Sequence, residues 1–122
     1  MSKPQSRKAK GRHLQQHVRD RITTVFGLEE GDVESRSMGA GGVDVMLSPK
    51  ARKMCPLSIE CKNTRVTPSM KAIEQARYNT YPDTLPVVTW KPHGKQYMDT
   101  LCLISLEDLL AFLADPRRRY EI

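Results

Sequence analysis

The feature that most constrains this chain is a pair of short alternating runs, residues 41–48 (GGVDVMLS) and 57–64 (LSIECKNT). Apolar residues at every second position indicate two strands, because successive side chains of a strand point to opposite faces. Each run also carries charge at the alternate positions, Asp44 in the first and Glu60 and Lys62 in the second. Charge is costly to bury unless it is paired, so these three residues require an explanation.

The remaining sequence predicts three helices and three further strands. Apolar residues at helical spacing and the following Gly27 indicate the first helix, Thr67-Pro68 opens the second, and a Ser105/Asp108 capping box precedes the third. The predicted helices cover 12–26, 67–78 and 105–115, and the predicted strands cover 32–37, 43–48, 57–62, 85–90 and 100–104. The resulting order, αβββαββα, predicts an α+β fold of α/β sandwich-like type, with a small mixed sheet flanked by helices.

The length of 122 residues fits one domain. We expect that domain to span 12–115, between a flexible basic arm (1–11) and a basic tail (116–122). No apolar stretch approaches the roughly 20 residues that cross a bilayer, and no apolar segment follows the basic N-terminus, which predicts a soluble, unsecreted protein without a membrane partner. Three scattered cysteines predict reduced thiols in a cytosol-like compartment. The formal charge of +6 favours an anionic partner such as nucleic acid or an acidic membrane surface.

The three charged residues can meet if the two strands pair. Glu60 and Lys62 then share one face of their strand, and Asp44 can converge with them at one edge of the sheet. Metal-assisted phosphodiester hydrolysis uses such a trio, because carboxylate oxygens hold Mg²⁺ and a lysine adds a fixed cation. A lysine beside two carboxylates is a poor candidate for the general base, since its protonated form is favoured there.

The same residues resemble a known active-site signature. G-x-D, a strand and then E-x-K resemble the motif of the PD-(D/E)xK nuclease superfamily, with Val43-Asp44 in place of the literal P-D. The stretch RSMGAGGVDV (36–45), followed by IECKN (59–63) and a helix with Glu74-Gln75, is similar to small phage-type members related to Holliday-junction resolvases. The resemblance covers about residues 10–110 and implies a restriction-endonuclease-like core.

That resemblance implies a role for each matched residue. Asp44 and Glu60 would bind Mg²⁺, or Mn²⁺ as the alternative ion, with the backbone carbonyl of Cys61 as a third ligand. Lys62 would steady the attacking water or the scissile phosphate. Gln75 would orient the site from the second helix. It is preferred to Glu74 because on a helical wheel it lies beside Ala72, Ala76 and Asn79, whereas Glu74 points about 100° away.

Further candidates lie outside the central motif. Many resolvase-like members place a glutamate on the first helix; here Gln15 is the substitute, and since an amide is a weaker ligand the number of metals stays open. Ser37 precedes Gly39 much as resolvases place an accessory serine. The residues predicted to contact nucleic acid are Lys8, Lys10, Arg12 and Arg36.

The function expected from this resemblance is a Mg²⁺-dependent DNA endonuclease, a Holliday-junction resolvase or related branched-DNA nuclease. By analogy it would be a homodimer in the cytoplasm of a bacterium or phage-infected host. A less structure-selective phage nuclease, or a domain of a packaging or restriction system, stays open. The competing class is a basic protein that binds nucleic acid on a nuclease-like fold without cutting it. Structural explanations also stay open: a cross-strand ion pair for the trio, a solvent-facing helix residue for Gln75 and a turn residue for Ser37.

Overall fold

The computed structural model describes residues 7–36 and 41–119. The helices are α1 (Arg7–Phe26), α2 (Pro49–Met54), α3 (Met70–Tyr78), α4 (Leu106–Ala114) and α5 (Pro116–Arg119), with a 3₁₀ turn at Tyr97–Asp99. The strands are β1 (Val33–Ser35), β2 (Val45–Leu47), β3 (Leu57–Lys62), β4 (Leu85–Trp90) and β5 (Leu101–Leu103). Within these described ranges, no helix has the length and apolarity needed to cross a bilayer.

The strands form one mixed sheet in the order β1-β2-β3-β4-β5. Neighbouring strands are antiparallel except β3 and β4, which are parallel and are connected through α3. A parallel pair needs such a crossover, because its strands must start at the same edge of the sheet. The predicted α+β class, a mixed sheet flanked by helices, is confirmed.

Helices cover both faces of the sheet. On one face α1 contributes Leu14, Val18 and Ile22 to a buried cluster that includes residues of β1, β2 and β3. On the other face Ala72 and Ala76 of α3 pack with Val88 of β4. The middle of β3 is therefore buried on both sides, and polar residues in it lose contact with water.

The structure differs from the prediction in the bounds of its elements: β1, β2 and β5 are shorter than predicted, so that Asp44 lies just before β2, and several helix ends shift. Helix α1 begins at Arg7, five residues before the predicted start and within the segment predicted as a flexible arm. Residues 7–10 are Arg, Lys, Ala and Lys, which are good helix formers. The side-chain Nδ2 of Asn63 also donates to the carbonyl of Lys10 at 3.0 Å, which attaches the first turns of α1 to the end of β3.

Three other helical segments also depart from the prediction. No helix is predicted between the strands 43–48 and 57–62, but this connection contains α2, whose N-cap Ser48 accepts from the Ala51 amide at 3.1 Å. Helix α3 begins after Ser69 rather than after Thr67. The predicted basic tail contains the short helix α5. The start of α2 depends on a local cap by Ser48, which residue periodicity does not resolve.

Candidate active site

Asp44 lies directly before β2, and its backbone forms hydrogen bonds with two neighbouring segments. Its amide donates to the Ile59 carbonyl at 2.9 Å, and its carbonyl accepts from the Arg36 amide at 2.8 Å. Its carboxylate Oδ2 accepts from the backbone amide of Cys61 at 2.7 Å. The Asp44 carboxylate is thus held against the C-terminal half of β3.

The strand register brings Glu60 to the same face as Asp44. Val45 lies opposite Ile59, and both belong to the cluster under α1. Alternation therefore turns the adjacent residues, Asp44 and Glu60, toward the α3 face. Glu60 is only 3% exposed there, and among the described residues its Oε2 has no hydrogen-bond partner.

The environment of Glu60 disfavours its ionised form. Burial, and after it the neighbouring Asp44 carboxylate, raise the pKa of Glu60. Lys62 and Asn79 act in the opposite direction, and the net pKa is about 7. Two carboxyl groups in one buried volume repel each other when both are charged. A cation placed between them would remove that repulsion and complete the coordination of the Glu60 oxygens.

Lys62 and Gln75 close the site on the side of α3. The Lys62 ammonium lies 3.9 Å from Glu60 Oε1 and donates to Gln75 Oε1 at 3.3 Å. Gln75 is an exposed residue of α3, so its side chain reaches the lysine from the solvent side. The structure therefore brings Asp44, Glu60, Lys62 and Gln75 into one cluster, and their roles in catalysis stay a prediction.

The donors of this cluster fit a hard divalent cation. Asp44 and Glu60 supply carboxylate oxygens. The amide and carbonyl of a strand residue point to the same edge, so the Cys61 carbonyl is directed to the side on which its amide meets Asp44. Mg²⁺ is commonly held by one or two carboxylates and keeps several waters.

No group of three or more His, Cys, Asp or Glu side chains that could hold a metal occurs in the described part of the chain. A cation here would thus rely on the two carboxylates, the carbonyl and water. The Cys61 thiol does not join them, because it belongs to the core on the α1 face. Burial raises its pKa to about 12, so the thiol stays protonated at neutral pH.

Arg36 and Gly42 support the segment that carries Asp44. Arg36 Nε donates to the Val43 carbonyl at 2.8 Å. Gly42 has a positive φ of 94°, and a Cβ there would lie 3.0 Å from Arg36 Nη2. The arginine and the glycine therefore fit each other directly before Asp44. Sequence reasoning missed this role of Arg36, although the Gly-rich approach to Asp44 signalled a close backbone contact.

The other predicted site residues have separate outcomes. Gln15 is 3% exposed on α1, and its assignment as a site residue stays a prediction. Ser37 lies outside the described residues. Of the predicted nucleic-acid contacts on α1, Lys8 and Arg12 are exposed and Lys10 is half-buried.

Sequence reasoning also missed Asn79, the C-cap residue of α3, which acts on the Glu60 carboxyl. A usable signal existed, because Asn79 follows Gln75 by four residues and so lies on the same helix face.

Comparison of the chain with protein-family models, with curated proteins and with solved structures finds no match.

Proposed function

We propose that the protein is a Mg²⁺-dependent endodeoxyribonuclease of the PD-(D/E)xK type, with a restriction-endonuclease-like core. One observation carries the proposal: the buried Glu60 carboxyl adjoins the Asp44 carboxylate, has an oxygen without a hydrogen-bond partner among the described residues and lies beside Lys62. Such a carboxyl reduces the stability of the metal-free fold. Its presence is explained if the site exists to bind a cation.

Each residue has a distinct role in this proposal. Asp44, Glu60 and the Cys61 carbonyl would hold Mg²⁺, or Mn²⁺ as the alternative ion. Bound there, the ion would lower the pKa of a water molecule and offset negative charge on the scissile phosphate. Lys62 supplies a fixed positive charge and hydrogen-bond donors for that phosphate or the attacking water, and Gln75 positions the ammonium through its 3.3 Å hydrogen bond.

The basic surface supports DNA as the substrate. The net charge is +6, and the start of α1, which carries Lys8, Lys10 and Arg12, is joined to the end of β3 by the Asn63 hydrogen bond. The Lys10 backbone thus lies beside the end of β3 that carries Lys62. Branched DNA and a homodimer belong to the proposal because two symmetric cuts require two copies of a small active site. Free thiols at Cys55, Cys61 and Cys102 fit a reducing cytoplasm.

The test is cleavage of a set of labelled substrates. Linear, nicked, flapped and four-way DNA are incubated with Mg²⁺, with Mn²⁺ or with chelator. We expect cleavage only with metal, its loss in Asp44→Asn and Lys62→Ala, and its retention in Glu74→Gln, a control on the neighbouring exposed residue of α3. Absence of cleavage of every substrate with either metal would contradict the proposal, and equal cleavage of all four would restrict it to a nuclease without preference for branches.

A second candidate function is DNA binding without catalysis. The observation that favours it is that only two acidic side chains meet at the site among the described residues, short of a metal-binding group made of side chains alone. Under this alternative the wild type and the Asp44→Asn variant bind DNA equally, and neither cuts it.

A further inference from the structure

A groove of about 310 Å³ opens beyond the ends of β3 and β4, next to the proposed active site. We call it the basic groove and define it by six of its lining residues: Lys10, Asn63, Arg65, Lys91, His93 and Tyr97. The sequence predicted a nucleic-acid contact for Lys10 only. The groove lies within the usual size range of ligand pockets, roughly 300–1,000 Å³.

The groove has an excess of positive charge. Lys10, Arg65 and Lys91 line it, and none of its described lining residues is acidic. No ion pair between described residues involves any of these three cations. Convergent cations without an acidic partner repel one another and create a potential that attracts an anion.

Backbone and side-chain contacts hold the groove in shape. The Lys91 amide donates to the Lys62 carbonyl at 3.2 Å, so the parallel strands β3 and β4 deliver their following residues side by side. The Trp90 indole donates to the Thr64 carbonyl at 2.9 Å and fixes the loop before Arg65. Asn63 attaches the start of α1 through the Lys10 carbonyl at 3.0 Å.

Tyr97 orients Lys91, one of the two lysines of the groove. The Lys91 ammonium lies 5.2 Å from the centroid of the Tyr97 ring, within the range of a cation–π contact. The same ring lies 5.4 Å from the His17 ring of α1, so it is packed from a second side. Lys91 is thus held by an aromatic ring rather than by a carboxylate, which leaves its charge available to a ligand.

The groove begins one residue beyond Lys62. A strand advances about 3.3 Å per residue, so the groove lies directly beside the position at which Lys62 would meet the scissile phosphate. We propose that the basic groove binds backbone phosphates of the DNA strand directly beside the scissile phosphate. This inference rests on the proposed function, because it takes Asp44, Glu60 and Lys62 as the cutting site. It assigns Arg65 and Lys91 as phosphate contacts, and it assigns Tyr97 as a positioning residue that acts through Lys91.

The test is the salt dependence of DNA binding, measured by fluorescence anisotropy in chelator with a labelled four-way junction and a labelled linear duplex. The groove variant is Arg65→Gln with Lys91→Gln. Its matched control, Arg21→Gln with Lys53→Gln, removes the same charge from exposed positions. Arg21 lies eleven residues along α1 from Lys10, about 16 Å away at 1.5 Å per residue, and Lys53 is on α2, before β3.

We expect the slope of log K against log salt to become shallower by about two in the groove variant, one for each lost phosphate contact. The control should keep the wild-type slope, and Arg65→Lys with Lys91→Arg should restore it. Tyr97→Leu should shift the slope by less than the double variant, while Tyr97→Phe should leave it unchanged.

Failure of this inference is distinguishable from failure of the proposed function. If the groove variant keeps the wild-type slope while the wild type cuts DNA, the groove assignment is wrong and the nuclease stands. If the wild type binds without cutting but the groove variant loses slope, the groove is a DNA site and the nuclease proposal fails. If the control loses as much slope as the groove variant, the binding is diffuse and the groove is not a site. If the wild type binds no DNA, both are wrong.

Discussion

Ser58 and Glu60 are two buried polar residues on the same face of β3, and they are treated in opposite ways. Ser58 is 1% exposed; its hydroxyl lies 2.5 Å from the Thr84 hydroxyl and accepts from the Tyr81 amide at 2.9 Å. Glu60 is 3% exposed, has an oxygen with no hydrogen-bond partner in the described structure and adjoins a second carboxylate. A polar side chain with its hydrogen bonds made and one with an unpartnered oxygen thus lie only two positions apart on the same strand.

The difference separates an end of β3 whose buried polar side chain has its hydrogen bonds from an end whose buried carboxyl does not. A buried polar group with its hydrogen bonds made supports the fold, whereas one left incomplete reduces the free energy of unfolding. Function commonly costs stability at the residues that carry it. The contrast between Ser58 and Glu60 can therefore be tested by substitution. A change at Glu60 should lower cleavage and a change at Ser58 should lower stability, each without lowering the other property.

The largest effect is expected on cleavage when either carboxylate is replaced by its amide. Asp44→Asn and Glu60→Gln keep the shape of the side chain but weaken the binding of a cation. We expect the cleavage rate with Mg²⁺ to fall by at least about 10²–10³-fold, measured under single-turnover conditions on the preferred DNA substrate. Glu74→Gln is the matched control and should cut normally. Full activity of Glu60→Gln would remove the basis for calling this end of β3 a metal site.

The next largest effect is expected on stability, where the Glu60 carboxyl that the proposed activity needs lowers the free energy of unfolding. Because the pKa of Glu60 is raised to about 7, the metal-free folded protein keeps a proton that the unfolded chain releases from about pH 4.5 upward. The folded state then binds more protons, so the free energy of unfolding falls as pH rises from about 4.5 to 7. We expect a fall of up to about 3 kcal/mol, measured by urea unfolding in chelator.

Two comparisons isolate the contribution of Glu60 to that pH dependence. Glu60→Gln should flatten the curve over the same pH interval and be more stable than the wild type above pH 7. Added Mg²⁺ should stabilise the wild type more at pH 8 than at pH 5.5 and should have little effect on Glu60→Gln. A wild-type curve that coincides with the Glu60→Gln curve at every pH would show that this carboxyl is not held in a disfavoured state.

Ser58→Ala tests the opposite member of the pair. The substitution leaves the Tyr81 amide and the Thr84 hydroxyl without their Ser58 partner, so we expect a loss of about 1–3 kcal/mol in unfolding free energy. Cleavage at a temperature where the variant is folded should be unchanged. Ser69→Ala is the control, since Ser69 is exposed and makes no side-chain cap hydrogen bond. A selective loss of cleavage in Ser58→Ala would mean that the two ends of β3 are not separate.

The smallest effect is expected from Gln75→Ala. Gln75 is exposed and makes one 3.3 Å hydrogen bond to Lys62, so it positions the ammonium without binding the cation. Loss of such a positioning contact commonly lowers activity by about 10–100-fold, and we expect the lower end of that range because the residue is exposed. Stability should change little. Glu74→Ala, one residue away on α3, should cleave at the wild-type rate, and an equal loss there would assign the effect to the helix rather than to Gln75.

The candidate site was predictable from local pattern to a large extent. The alternation of residues 43–48 and 57–62 assigned Asp44 and Glu60 to strand positions, and the wheel of the second helix favoured Gln75 over Glu74. The helix over 49–54 and the early start of α1 were missed, because capping by Ser48 and the bond from Asn63 to the Lys10 carbonyl involve contacts that apolar periodicity does not encode. The support that Arg36 gives to Val43 was missed for the same reason.

The sequence alone determined the five strands and the face on which Asp44, Glu60 and Lys62 lie, because alternation along a strand is a local property of the chain. The tertiary structure decided that β3 is covered on both faces, by α1 and by α3, so that Glu60 is buried beside Asp44 instead of exposed in an ordinary ion pair. Burial depends on which distant segments pack together. The same carboxyl in water would have an ordinary pKa and little demand for a cation, and its chemistry therefore comes from packing that no short segment specifies.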